Sequence, residues 1–222
     1  MSGHTHRSYD VELAELDRAT AEMGGLAEAQ LADAVTALTR RDPQLAEKAA
    51  ASDRRIDALE RQLQDRTIAM IAKRQPMAND LRHIMTVLKV AGDLERIGDL
   101  AKNTAKRTHA ISEQLPRKLM TGVTRMGRLA QQEVKSILDA YARSDAAMAL
   151  EVWRSDEDLD ALYNSIFREL LTYMMEDPRN ITFCTHLLFG AKNMERIGDH
   201  ATNIAENIHY LVHGKPLADG RP

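Results

Sequence analysis

Aromatic residues are scarce in this chain of 222 residues, which has three Phe and one Trp. Aromatic clusters therefore cannot dominate a core, and Ala, Leu, Met and Ile are left to fill it, with Arg, Glu and Gln outside. That is the composition of helices. A single cysteine, Cys184, excludes an intramolecular disulfide and fits a reducing cytoplasm. Its expected role is that of a small apolar filler in a helix. No segment approaches the roughly 20 apolar residues of a membrane span. The polar residues 1–10 contain nothing like a signal peptide, and His4 and His6 within them are not expected to bind metal. Charge is not segregated either: a formal net charge of −3 arises from interspersed acids and bases. No basic stripe points to nucleic acid, and no like-charged block points to a tail.

Prolines stand where helices should break. Asp42-Pro43 reads as an N-cap followed by a first-turn proline. Pro76 separates two helical patterns, Pro116 opens another, and Asp177-Pro178 separates the last two. Pro216 and Pro222 lie in a terminal tail. Between these points apolar residues recur at spacings of three and four, as in Ile56, Leu59, Leu63 and Met70, or Leu81, Ile84, Leu88 and Ala91. The pattern predicts an all-α fold of six long helices near residues 8–39, 43–74, 78–112, 117–142, 145–176 and 180–212. Met70, Met85, Met174, Met175 and Met194 are read as core residues rather than a soft metal site.

The chain is also duplicated. Glu-Arg-Ile-Gly-Asp occurs at residues 95–99 and again at 195–199, each followed by Ala-x-Asn ending at Asn103 and Asn203. Met23-Gly24-x-Leu26-Ala27 matches Met126-Gly127-x-Leu129-Ala130 at an offset of 103, and Asp53-x-x-Ile56-Asp57 matches Asp156-x-x-Leu159-Asp160 at the same offset. Such self-similarity predicts two tandem, pseudo-symmetric, antiparallel three-helix bundles. The first spans residues 1–113 and the second 114–222, with a short C-terminal tail.

The repeated motif is costly. Glu and Asp four apart share a helix face and repel by a few tenths of a kcal/mol. The glycine between them costs about 1 kcal/mol relative to Ala. Asp53/Asp57 and Asp156/Asp160 are further pairs of the same kind. Counting from the turn, Asp57 lies 19 residues before Pro76 and Glu95 19 after, while Asp53 and Asp99 lie 23 before and after. In the second half Asp160 and Glu195 lie 18 before and 17 after Pro178, with Asp156 and Asp199 at 22 and 21. Equal counts in an antiparallel hairpin mean equal height. Each bundle is therefore expected to gather four carboxylates, with Asn103 or Asn203 a turn further on. Four carboxylates need compensation. Hard cations such as Mg, Ca, Mn or Fe would supply it, and so would ion pairs from Arg96 and Arg196 to a neighbouring helix. Gly98 and Gly198 serve either close helix packing or room for a ligand.

These motifs carry a resemblance. Residues 76–82, Pro-Met-Ala-Asn-Asp-Leu-Arg, followed by Asp-Leu-Glu-Arg-Ile-Gly-Asp at 93–99 and by the run Glu195 to Asn207, resemble the PhoU family over roughly residues 8–212. The resemblance implies an all-helical cytoplasmic regulator, often a homodimer. Such proteins repress the phosphate-starvation response when phosphate is plentiful and restrain phosphate uptake. Its implied partners are the transporter ATPase PstB and the sensor histidine kinase PhoR, with peripheral association to the membrane transporter complex only and no nucleic acid. It further implies divalent or trivalent metal ions (Fe, Mn, Mg or Zn) on Glu95, Asp99, Glu195 and Asp199 and on Asp53, Asp57, Asp156 and Asp160. Asn103 and Asn203 match motif positions.

Two other functions compete. A carboxylate-bridged di-iron bundle normally uses Glu-x-x-His pairs, but Gly98 and Gly198 stand where the histidines belong. A metal-free helical adaptor for another phosphate transporter needs only binding surfaces. No nucleophile–base pair or phosphate-cradling glycine loop is evident, so no catalytic activity is expected.

Overall fold

The computed structural model describes residues 2–111 and 117–218. Its six helices are α1 (Ser2–Arg40), α2 (Pro43–Arg74), α3 (Asn79–Arg107), α4 (Arg117–Arg143), α5 (Ala146–Glu176) and α6 (Ile181–His213). Short 3-10 turns at Thr108–Ala110 and Pro178–Asn180 complete the ordered elements, and the described residues contain no strand. Pro116, Pro222, the side chains of His4 and His6, and the expected boundary near residue 113 lie outside the described residues.

Local chemistry accounts for the helix ends. Asp42 caps α2, its carboxylate accepting from the backbone N–H groups of Gln44 and Leu45 at 3.0 Å, with Pro43 in the first turn. Asp145, 103 residues later, caps α5 in the same way, accepting from Ala147 and Met148 at 3.0 Å. The residues before these caps, Arg41 and Ser144, both adopt left-handed φ angles, 58° and 49°. Asp177 accepts from the Arg179 backbone N–H at 2.9 Å and closes the 3-10 turn before α6. Gly214 ends α6 with φ 68°, a conformation open to glycine at no steric cost. Two boundaries differ from the sequence expectation: α1 starts at Ser2, and α3 gives way to a 3-10 turn at Thr108.

Helices α1, α2 and α3 form one bundle, and α4, α5 and α6 the other. The bundles are joined, because α3 packs along α6 and α1 crosses α4. The buried apolar residues of both halves consequently form one continuous core, in which Leu31, Ile56, Leu94, Met126, Ile137 and Met194 are among the fully covered side chains. The outer helices are α2 and α5.

The α1–α4 crossing explains one duplicated motif. A Cβ at Gly24 would lie 2.5 Å from Leu138 Cδ2, and one at Gly127 would overlap Val35 Cγ1. Gly24 matches Gly127, and Val35 matches Leu138, both at the offset of 103. The same glycine–aliphatic contact is thus made twice with the partners exchanged. This is the signature of a two-fold interface, built here within a single chain.

Polar contacts tie the other seam. His200 Nδ1 lies 3.0 Å from Asp93 Oδ1 across α3–α6. The Arg107 guanidinium sits 4.9 Å above the Phe189 ring. Cys184 is fully buried, as expected of a filler, and burial pushes its thiol pKa up. Met70 and Met194 are also buried. Leu81, Met85 and Met175 are not, being 38%, 37% and 86% exposed. Met85 and Met175 depart from the core role expected of them: Met85 stands on the outward face of α3, between the buried Ile84 and Thr86, and Met175 lies in the last turn of α5.

Candidate functional site

The first acidic set lies where α2 faces α3. Asp53 and Asp99 meet at one height, as the spacing from Pro76 requires, and the group between them is Lys102. Its Nζ donates to Asp53 Oδ2 at 2.5 Å and to Asp99 Oδ1 at 2.6 Å. Burial opposes the Lys102 charge, but these hydrogen bonds and the two carboxylates hold its pKa above the usual value. From α1, Gln30 Nε2 donates to the Ala49 carbonyl at 3.1 Å and reaches Asp53 Oδ1 at 3.5 Å. Glu95 and Asp57 complete the set. Burial pushes the Glu95 carboxyl up; Arg96 opposes this, and Asp99, Asp57 and Glu60 add to it. Arg96 does not bridge to another helix as anticipated. It is largely exposed and lies 3.4 Å from Glu95 and 4.0 Å from Asp99 on its own helix, where one residue of separation is the shorter reach.

The second set lies where α5 faces α6. Asp156 is buried, at 4% exposure. Gly198 is what lets it approach, because a Cβ there would overlap Asp156 Oδ1 and stand 2.7 Å from Leu159 Cδ2 and 3.1 Å from Glu133 Oε2. Both carboxylates therefore press against the bare backbone of α6. The equivalent Gly98 faces Ile56 Cδ1 at 3.0 Å and Gln30 Oε1 at 3.1 Å. Lys192 Nζ donates to Glu195 Oε1 at 2.5 Å, while Glu195 Oε2 is buried without a hydrogen-bond partner. Burial pushes the Glu195 carboxyl up; Lys192 lowers it, and Asp199 and Asp160 raise it.

Asparagines are not drawn into either set. Asn103 is exposed on α3. Asn203 donates from Nδ2 to Asp93 Oδ1 at 3.3 Å, across the α3–α6 seam. Gln30, Lys102, Glu133 and Lys192 went unrecognised in the sequence. Gln30 and Glu133 occupy matching positions of α1 and α4, 103 residues apart, and that offset was the signal available for finding them.

Among the described residues, no three His, Cys, Asp or Glu side chains are grouped as a metal ion would require. In the first set the Lys102 ammonium already fills the space between Asp53 and Asp99. The second set offers carboxylate oxygens, the donor type a hard cation takes, but it too is not gathered as a metal ion would require. Glu195 Oε2 is buried without a hydrogen-bond partner, and the place a Cβ would take at Gly198 is filled by Asp156 Oδ1 and closely approached by Glu133 Oε2. The raised Glu195 pKa has a consequence for metal-free protein. A carboxyl whose pKa is raised by folding costs stability while it is ionised, and the cost is relieved as pH falls through the raised value. Glu195→Gln is accordingly expected to raise the unfolding midpoint at pH 7 in chelator, the gain shrinking toward the unfolded carboxyl pKa of about 4.3. Calorimetry across that range checks it; a midpoint lowered at pH 7 would mean that the Lys192 hydrogen bond outweighs the burial.

Comparison with known proteins gives the same two-fold division. The model of the PhoU domain matches twice, at residues 20–108 and 123–208. A "Phosphate-specific transport system accessory protein PhoU homolog" of Caulobacter vibrioides is 52% identical over 223 residues, covering 100% of this chain and 97% of that protein. Its namesake in Rhizobium meliloti is 53% identical over 220 residues, covering 99% and 93%. The crystal structure of PhoU from Pseudomonas aeruginosa superposes with a TM-score of 0.88 at 40% identity, covering 93% of this chain and 100% of that one. With both halves matched, and relatives of this identity aligned end to end, the chain belongs to the PhoU family.

Proposed function

We propose that this protein is an accessory regulator of phosphate-specific transport that represses the phosphate-starvation response and restrains uptake when phosphate is abundant. The observation that carries this reading is the PhoU-domain match in each half, within a chain about half identical to relatives named for that transport system. The proposed partners are the transporter ATPase PstB and the sensor kinase PhoR. The protein acts as a homodimer in the cytoplasm, without catalysis, and touches the membrane only through the transporter. No helix among the described residues is long and apolar enough to cross a membrane, which is compatible with that placement. Divalent or trivalent metal on the carboxylates stabilises the bundle or sets the signalling state.

A phosphate-regulated reporter in cells lacking the gene tests the role. Loss of the protein is expected to derepress the reporter in high phosphate, and the wild-type gene to restore repression. Repression unchanged by the deletion overturns the reading. Pull-down of the transporter ATPase separates it from an adaptor serving a different phosphate transporter. Metal analysis of protein purified without chelator, set against Asp99→Ala/Asp199→Ala, tests the metal: equal content in both excludes these carboxylates as ligands.

A further inference from the structure

The asparagines that close the duplicated motifs, Asn103 and Asn203, join neither acidic set, and both are exposed. Each belongs to a row of residues seven apart. On α3 the row is Arg82, Lys89, Arg96 and Asn103; on α6 it is Phe189, Arg196, Asn203 and Tyr210. Steps of seven drift by only about 20° around a helix and rise about 10.5 Å. Each row is therefore a nearly straight line, about 30 Å long, on one helix face. The helices that carry the rows run antiparallel along their seam, with Asp93 beside His200 and Arg107 beside His186. Lys89 and Arg96 of α3 line an open trough of about 520 Å³ with His200, Asn203 and Asn207 of α6. At one end of the seam Arg82 and Lys89 stand 5.8 and 6.0 Å from the centre of the Tyr210 ring. At the other end the Arg107 guanidinium covers Phe189.

The trough runs against the charge of the chain. Acids outnumber bases by 33 to 30 overall, yet neither row contains an acid, and with Arg107 the two rows hold five cations. The carboxylates beside them have work elsewhere: Asp93 is held by His200 and Asn203, and Glu206 accepts from the Trp153 indole of α5 at 3.3 Å. Phe189 and Tyr210 are 50% and 38% exposed. Arginine with exposed aromatics is the composition that carries binding energy at protein interfaces. A straight trough between two antiparallel helices accepts a third helix by ridge-into-groove packing, and residues seven apart on that helix repeat at the same spacing of about 10.5 Å. A phosphate backbone fits less well, because Asp93 and Glu206 stand in the trough with the cations. A bilayer surface takes a continuous apolar face, and here two aromatics stand 21 residues apart.

We propose that the α3–α6 trough is a docking surface for an acidic amphipathic helix of a partner protein. Carboxylates at heptad spacing on that helix pair with Lys89, Arg96 and Arg196, and apolar side chains near its two ends rest on Phe189 and Tyr210. Asn103 and Asn203 supply amides that donate and accept along the line between. This goes beyond the regulatory role proposed above and needs no metal.

Photocrosslinking of the full chain in cells tests it. The photoreactive residue p-benzoylphenylalanine is placed at Asn103 or Asn203, with the exposed Glu157 of α5 as control position, and the captured peptides are sequenced by mass spectrometry. The trough positions are expected to capture one segment of another protein, rich in Asp and Glu with acids recurring at three, four and seven. Lys89→Glu/Arg196→Glu should lower that yield at least about tenfold, because like charges at a contact repel. Lys89→Arg/Arg196→Lys should keep it, and circular dichroism of the purified variants confirms the fold. Capture no greater than at Glu157, capture of a second copy of this chain, a captured segment without excess acid, or a yield indifferent to charge reversal each overturns the proposal. The readout is the captured segment rather than the phosphate reporter, so this inference and the regulatory reading fail separately.

Discussion

Gly198→Ala is expected to lower the unfolding midpoint by about 5–10 °C, corresponding to about 2–3 kcal/mol for overpacking at a filled position in a chain of this size. The added methyl would overlap Asp156 Oδ1 and come within 2.7 Å of Leu159 Cδ2. Neither neighbour can yield cheaply. Asp156 is 4% exposed and Leu159 is fully buried, and a carboxylate forced elsewhere inside the bundle loses whatever solvation its position provides. Helix propensity acts in the opposite direction, since Ala is favoured over Gly by about 1 kcal/mol, so the steric cost has to exceed that gain. Gly92→Ala isolates the propensity term. It lies inside α3 with nothing within 4 Å of the Cβ position, and is expected to be neutral or to stabilise by up to about 1 kcal/mol. Thermal unfolding of the two variants decides the matter: similar midpoints would mean that the helices part at Gly198 without cost.

Lys102→Thr should cost about 2–3 kcal/mol in chelator. Removing one partner of a buried ion pair leaves the other charge uncompensated, typically at about 3–5 kcal/mol. The figure here is reduced because the Lys102 side chain is 23% exposed and water screens part of the pair. Most of the cost falls on Asp53, whose side chain is 5% exposed. Adding Asp53→Asn should therefore recover much of the loss, with a coupling of about 0.5–3 kcal/mol in the double-mutant cycle. Independent, additive losses would show that the ammonium stabilises α3 through some contact other than Asp53. Denaturant unfolding of the four proteins supplies the numbers.

The exposed surface behaves differently from these two sites. Arg96, 62% exposed beside Glu95, belongs with the surface pairs that contribute little. Arg179, paired with Asp177 at 2.7 Å and 91% exposed, is of the same kind.

Much of this protein was legible in one dimension. Period-three-and-four apolar spacing, Asp42-Pro43 and Asp177-Pro178 set out six helices because capping and burial of one helix face are local properties, written within a few residues. The height match of Asp53 with Asp99 was also legible, because two antiparallel helices rise equally from their shared turn. Met85 and Met175 were misjudged, since residue type alone does not separate a methionine on the outward face of a helix, or in its last turn, from one in the core. What tertiary structure alone decided was the third helix's contribution to each site and the pairing of the halves. Gln30 and Glu133 reach the acidic sets from α1 and α4, Lys102 bridges α2 to α3, and Gly24 and Gly127 trade partners across the α1–α4 crossing. Those contacts depend on how helices distant in sequence rotate about their axes when they pack. That rotation is set by the summed side-chain interdigitation of the whole core, which no local run of residues encodes.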